Sequence, residues 1–410
     1  MENLQTMELP ITVSPVATTR QKPRPASARL LFIDNIRWVM IMLVVSMHAA
    51  VTYSGIGSWY YRENTPLGKP ELLTFVTYQA FLQSFFMGLL FFIAGYFVPG
   101  AYDKKGARRF LRDRAFRLGW PSLLYIFILG PLTEYFVSHS WAGDSPDRSF
   151  LREYGHYITR VRFPGGSGPL WFCVALLFFC CIYAGWRVFT GPANASAGNA
   201  AGTPLPFPRT ALVTGFILLI ATASFLVRIP WPNGTSFYNM QLCYFAQYIA
   251  FFIAGTLAYR RSWLTTLATS TGKRWGLVAL AGGLVFWLSL LILGGAVSGH
   301  RDDFSGGLHW QSCGMCLWEA LAGTGLSIGV LALFRKKFNR QGKWASFFSA
   351  NAFAVYVFHP PILIMICLSM AGLHWAPLLK FMWATLLSIA VSFSLCALIV
   401  RRLPLLKRIL

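Results

Sequence analysis

Acidic side chains are scarce in this chain. Only 14 Asp and Glu stand against 36 Lys and Arg in 410 residues, and charged residues of both signs make up 12%, about half the share of an ordinary soluble domain. A water-facing surface is therefore excluded for most of the length. Short alternating segments of the kind that build an outer-membrane barrel are missing. So is any basic, aromatic-rich stretch outside the apolar runs, which leaves no nucleic acid among the expected partners. The eight cysteines fall in or beside apolar runs, where they form no disulfide framework. The C-x-x-C at Cys313 and Cys316 has no second pair with which to hold a metal, so no metal and no bound cofactor is expected. Residues 1–29 carry prolines and basic groups but lack the apolar core of a secretory signal, and no internal sequence repeat is evident.

Apolar sequence fills the space. Hydrophobic residues make up 55%, aromatics 16%, and mean hydropathy is +0.52. Long apolar runs recur near 32–54, 76–99, 119–137, 169–189, 210–228, 241–259, 275–297, 310–334, 346–370 and 378–400, each close to the ~20 residues that cross a hydrocarbon core. The expected fold class is all-α, a polytopic membrane helical bundle of about ten transmembrane helices. One set of connections carries most of the Lys and Arg: "DKKGARRFLRDRAFR" from Asp103, "RKKFNRQGK" from Arg335, and "RRLPLLKRIL" at the end. By the positive-inside rule that set is cytoplasmic, and an even number of spans puts both termini there. Residues 1–30 are expected as a disordered cytoplasmic tail, 31–401 as the membrane domain and 402–410 as a basic cytoplasmic tail. Gly191 to Arg209 is expected as a flexible linker. The opposite loops, 138–168 with His139, Asp144, Asp147, Glu153 and His156, and 298–309, suit a binding vestibule or an ordinary solvated loop. The net charge of +22 fits this topology and contact with an anionic ligand or with membrane lipids.

Several polar residues sit where hydrocarbon makes them expensive. Asp34 and Arg37, three apart at the start of the first run, share a helix face and can pair; they form an interfacial ion pair or an anion-binding mouth. His48 lies eleven residues on, roughly 16 Å along a helix, in the outward half of the membrane. An ionisable group there is either a satisfied structural histidine or a functional one, and a neutral imidazole is a competent general base. In "RRFLRDRAFRLGWP", Arg114 and Arg117 are three apart, as are Arg109 and Arg112. On an α-helix such pairs project from one side and can hold one polyanion, or simply anchor the span. Glu319 falls inside "MCLWEALAG", where an ionised carboxylate costs roughly 3 kcal/mol or more unless paired or turned inward. His359 precedes Pro360 and Pro361, which free backbone carbonyls one turn earlier, so a kink beside an interior polar site is expected.

Taken in order, "FIDNIRWVMIMLVVSMHA", "FFIAGYFV", the arginine pairs ending "RLGWP", "GPLWFCVALLFF" and "YVFHPPILI" resemble the acyltransferase-3 family of integral membrane acyltransferases, in the branch that includes periplasmic glucan succinyltransferases. The likeness runs from about Leu31 to Arg401. It implies transfer of an acyl group from a cytoplasmic donor, acyl-CoA, to a hydroxyl of an extracytoplasmic glycan or related acceptor, in a bacterial inner membrane. It also implies that His48 is essential and that Arg37, Arg114 and Arg117 bind the donor; Asp34, Glu319 and His359, singled out by their own placement, are candidate supporting groups. Many members carry a further soluble esterase-like domain; none follows the spans here, so acceptor handling is expected within the membrane domain or through a partner. The "WSLAVEEQF" element of some branches has no counterpart, and the sequence names no carboxylate partner for His48. A secondary transporter or glycolipid flippase would share the spans and buried polar groups but needs no one-sided phosphate clamp, and two homologous halves would mark it. A non-catalytic assembly partner would leave His48 replaceable.

Overall fold

Apolar runs surrounded by lipid satisfy their backbone by closing into helices, and this chain does so. The structure, a computed structural model, describes residues 30–63, 65–142, 149–191, 204–296, 298–404 and 406. The expected N-terminal tail, Asp144 and Asp147, most of the linker and most of the residues after 402 lie outside the described residues. Nine helical segments among the described residues are long and apolar enough to cross a membrane: α1 (Leu31–Ser54), α2 (Lys69–His139), α3 (Gly168–Thr190), α4 (Thr210–Arg228), α5 (Leu242–Arg260), α6 (Thr269–Leu293), α7 (Trp310–Lys337), α8 (Lys343–Ser369) and α9 (Pro377–Arg402).

At 71 residues, α2 would be about 105 Å long if straight, more than three times a ~30 Å hydrocarbon core. It is not straight. Gly106 has φ 72° and ψ 167°, a left-handed conformation that favours glycine. The helix folds there, because Tyr102 and Phe110 rings lie 5.7 Å apart and Lys105 Nζ is 2.6 Å from Asp113 Oδ2. Residues eight apart on one straight helix would be separated by about 12 Å. The fold divides α2 into two arms, which carry two of the expected apolar runs.

Burial separates centre from rim. In α2 and α7, 61% of the apolar window is buried, and in α1 and α8 56%, against 22% for α6 and 28% for α4. Large apolar side chains such as Phe189, Leu280 and Ile292 stand exposed on the rim, as side chains facing lipid would. Central helices approach closely where side chains vanish. A β-carbon at Gly95 would strike the Phe252 carbonyl and one at Gly255 the Phe92 carbonyl, so two glycines face each other's backbones and seat α5 on α2.

Turns at each end of the bundle bind one another. At the end where α1 begins, Asn35 Nδ2 donates to the Phe338 and Arg340 carbonyls, Arg401 donates to Asn351, and Arg260 and Arg187 both hold Asp103. This is the basic end. At the far end Asn239 donates to the Gly168 carbonyl, Asn233 N to the Ser305 carbonyl, and Lys380 pairs with Glu63.

Candidate active site

His48 is half-buried near the far end of α1. Beyond α1 the chain turns back through Gly55 and Gly57, with φ of 67° and 102°. The turn lays residues 58–63 over the helix they have just left, and Glu63 N donates to the Thr52 carbonyl at 2.8 Å. Trp59 thereby lands flat on His48, ring centres 3.8 Å apart and planes 11° from parallel. Continued as helix, the same eleven residues would have separated the two by about 16 Å.

The third ring is His359, fully buried on α8, 5.4 Å from His48 and within 15° of parallel. Its orientation follows from the sequence around it. Pro360 has no N–H, so the Tyr356 carbonyl loses its usual partner. His359 Nδ1 supplies one, at 2.9 Å from the Tyr356 carbonyl and 3.2 Å from that of Val355. A carbonyl only accepts, so Nδ1 carries the proton and Nε2 of the neutral ring is a bare lone pair. The helix stays intact through both prolines. The imidazole takes up one of the carbonyls that the prolines free. Among the described residues His359 Nε2 has no hydrogen-bond partner, and neither has the buried Trp59 Nε1. One open acceptor and one open donor therefore flank His48.

The flap is pinned from beneath. Glu63 accepts from Lys380 Nζ of α9 at 2.6 Å, with both side chains largely buried, and from Thr65 at 3.1 Å. Gln79 of α2 holds Ser54 and the Ile56 carbonyl. No carboxylate pairs with His48 among the described residues; Glu63, the acid on the adjoining loop, is committed to Lys380. Trp59, Glu63 and Lys380 were not singled out from sequence. The one signal was Lys380 itself, a charge inside the apolar stretch "APLLKFMWATLL".

Glu319 faces the interior but takes no part in this cluster. It receives Arg228 Nη2 of α4 at 2.5 Å, and Arg228 is fully buried, its guanidinium 5.3 Å from the Tyr244 ring centre. This is an ion pair between α4 and α7. At the basic end Arg37 pairs with Asp34 at 3.3 Å and stands over Phe97 at 4.8 Å. Arg114 is half-buried over Phe110, while Arg117 is exposed. Residues 115–119 form a π-helical turn, which carries more residues per turn than an α-helix. The three-residue spacing therefore does not put Arg114 and Arg117 in one environment, as an α-helix would.

The acyltransferase-3 pattern, described as an acyltransferase domain, matches residues 30–401. The chain belongs to this family. Two proteins named glucans biosynthesis protein C are similar to it over 83% of both chains. One, from Escherichia coli O17:K52:H18 (strain UMN026 / ExPEC), is 22% identical over 342 residues; another, from Escherichia coli O157:H7 (strain EC4115 / EHEC), is 24% identical over 345. No solved structure matches the chain. The protein is an integral-membrane O-acyltransferase. An acyltransferase needs a base for the attacking hydroxyl and polar groups for oxygens near it, and the ring cluster at the far end offers both.

Proposed function

We propose that this acyltransferase sits in a bacterial inner membrane and moves an acyl group from cytoplasmic acyl-CoA to a hydroxyl of an extracytoplasmic glycan. The observation that carries the reading is the ring cluster: a half-buried imidazole beside one open acceptor and one open donor. A polyol brings several hydroxyls, each able to donate and accept. Held by His359 Nε2 and Trp59 Nε1, such an acceptor directs one hydroxyl at His48. The neutral imidazole takes the proton as the oxygen forms its bond to the thioester carbonyl. The tetrahedral intermediate collapses, the carbon–sulfur bond breaks, and the imidazolium returns its proton to the leaving thiolate. Ester and free thiol result, with His48 restored. The names of the E. coli relatives favour a glucan acceptor.

Positive-inside bias supports a cytoplasmic basic end, and there Arg37, Arg114 and Arg117 meet the donor's phosphates in this reading. The acyl chain then runs toward His48 between α1, α2 and α8. Trp59 covers the imidazole, so acceptor entry requires residues 55–63 to lift. The reading is tested in proteoliposomes with labelled acyl-CoA inside and glucan outside. Ester-linked label on the glucan that depends on His48 is the expected result. Transfer only when donor and acceptor share one compartment would refute the sidedness, and donor-independent glucan export would refute the reaction.

A further inference from the structure

The basic end holds a cavity of about 570 Å³ between the first arm of α2, α3 and α5, lined by Tyr102, Asp103, Gly106, Arg187 and Arg260 among others. Arg260 holds Asp103 through two nitrogens, at 2.5 and 3.0 Å, and also reaches Tyr183 Oη at 3.3 Å. Arg187 touches the same carboxylate only at 3.5 Å. Its side chain is 8% exposed, its guanidinium lies 5.6 Å from the Tyr102 ring centre, and its buried Nε has no partner among the described residues.

One carboxylate thus serves two guanidinium groups, and its better geometry goes to Arg260. A net positive charge remains on a cavity wall, on the side chain least able to reach water. Buried charge is costly unless fully paired, and the cavity is large enough to admit the missing anion. The planar donors of Arg187 and Arg260 match the oxygens of a phosphate group. Gly106 at the fold of α2 adds no side chain to block the mouth.

We propose that this cavity is a phosphate-binding site, separate from Arg114 and Arg117, that takes a phosphate ester from the basic end. The phosphate comes from a soluble compound or from a lipid headgroup. Two measurements on the full chain in phosphatidylcholine nanodiscs separate these sources. The first titrates inorganic pyrophosphate. The second measures retention of phosphatidylglycerol, added to the nanodiscs, by native mass spectrometry. Arg187→Gln is expected to weaken binding in the responding arm on the order of tenfold, the loss of one charge-assisted contact. Asp103→Asn removes the competing carboxylate and is expected to tighten it. Arg187→Lys keeps the charge and retains most of the affinity. Opposed shifts in the pyrophosphate arm assign a soluble ligand, and in the lipid arm a headgroup. Arg187→Gln keeps a polar side chain in place of the undercompensated charge, so it remains informative if Asp103→Asn fails to fold. Unchanged affinity in both arms, or weakening by Asp103→Asn and Arg187→Gln alike, overturns the proposal.

Discussion

Removing the charge of Glu319 while leaving Arg228 in place strands a cation. Arg228 is 0% exposed, and its Nε and Nη1 already lack partners among the described residues; Glu319 at 2.5 Å is its counter-ion. Breaking such a pair from one side costs about 3–5 kcal/mol, and at ~1.4 kcal/mol per tenfold that is roughly a 140- to 4000-fold drop in the folding equilibrium. Replacing both members by apolar residues of similar volume is neutral or stabilising in other buried pairs. The expected cycle is therefore strongly non-additive. Glu319→Leu and Arg228→Met each destabilise by several kcal/mol, and the double variant recovers most of the loss. Unfolding in mixed micelles measures stability, and acyl transfer in proteoliposomes measures function on whatever remains folded. The double variant is expected to transfer, because Glu319 lies outside the His48 cluster. A double variant that folds like the wild type but transfers nothing would put the carboxylate in the chemistry and refute this reasoning.

His48→Gln keeps a hydrogen-bonding side chain but no base, so kcat is expected to fall about 10²- to 10⁴-fold with acyl-CoA binding retained in a filter assay. In the wild type, transfer falls as pH drops through the titration of this imidazole, because only the neutral form accepts the proton. Trp59→Leu removes the stacked ring and is expected to raise KM for the glucan about three- to tenfold, leaving the donor KM unchanged. Lys380→Met strands Glu63 and frees the flap, which hydrogen exchange of residues 55–63 detects as lost protection; adding Glu63→Gln restores part of it. Alanine at both Arg114 and Arg117 is expected to weaken acyl-CoA binding and to make the remainder less sensitive to salt. Unchanged affinity removes them from the donor site.

The bundle was legible because a run of about 20 apolar residues has few alternatives to a membrane helix. The hairpin in α2 was legible only as two apolar runs. The connection between them, "DKKGARRFLRDRAFR", is a loop by charge but helical in the structure apart from Gly106, because Lys and Arg are good helix formers once outside hydrocarbon. The inward placement of Glu319 and His359 followed from the cost of exposing them to lipid. Their partners did not follow. Arg228 and Glu319 are 91 residues apart, and Lys380 and Glu63 are 317. Such pairings are set by which helices become neighbours, and no local pattern encodes that. Trp59 depended on a turn through Gly55 and Gly57 whose direction no spacing reveals. The π turn at 115–119 likewise overrode a face assignment that assumed an α-helix.

The buried charges sort by depth in a way that bears on the reaction. Among the described residues of the far half each buried charge has an opposite one: Arg228 with Glu319, Lys380 with Glu63. That half is close to neutral around His48, and its open groups are dipolar, an imidazole nitrogen and an indole N–H. In the proposed reaction an uncharged hydroxyl compound binds there without meeting a net field. At the basic end the balance is left incomplete, with Asp103 divided between two arginines and Arg114 and Arg117 outside that cluster. In the proposed reaction the polyanionic donor is drawn to that end. For the proposed reaction, the two substrates are kept apart by charge as well as by distance. The thioester is the one part of the donor with no charge to hold it back from the neutral half.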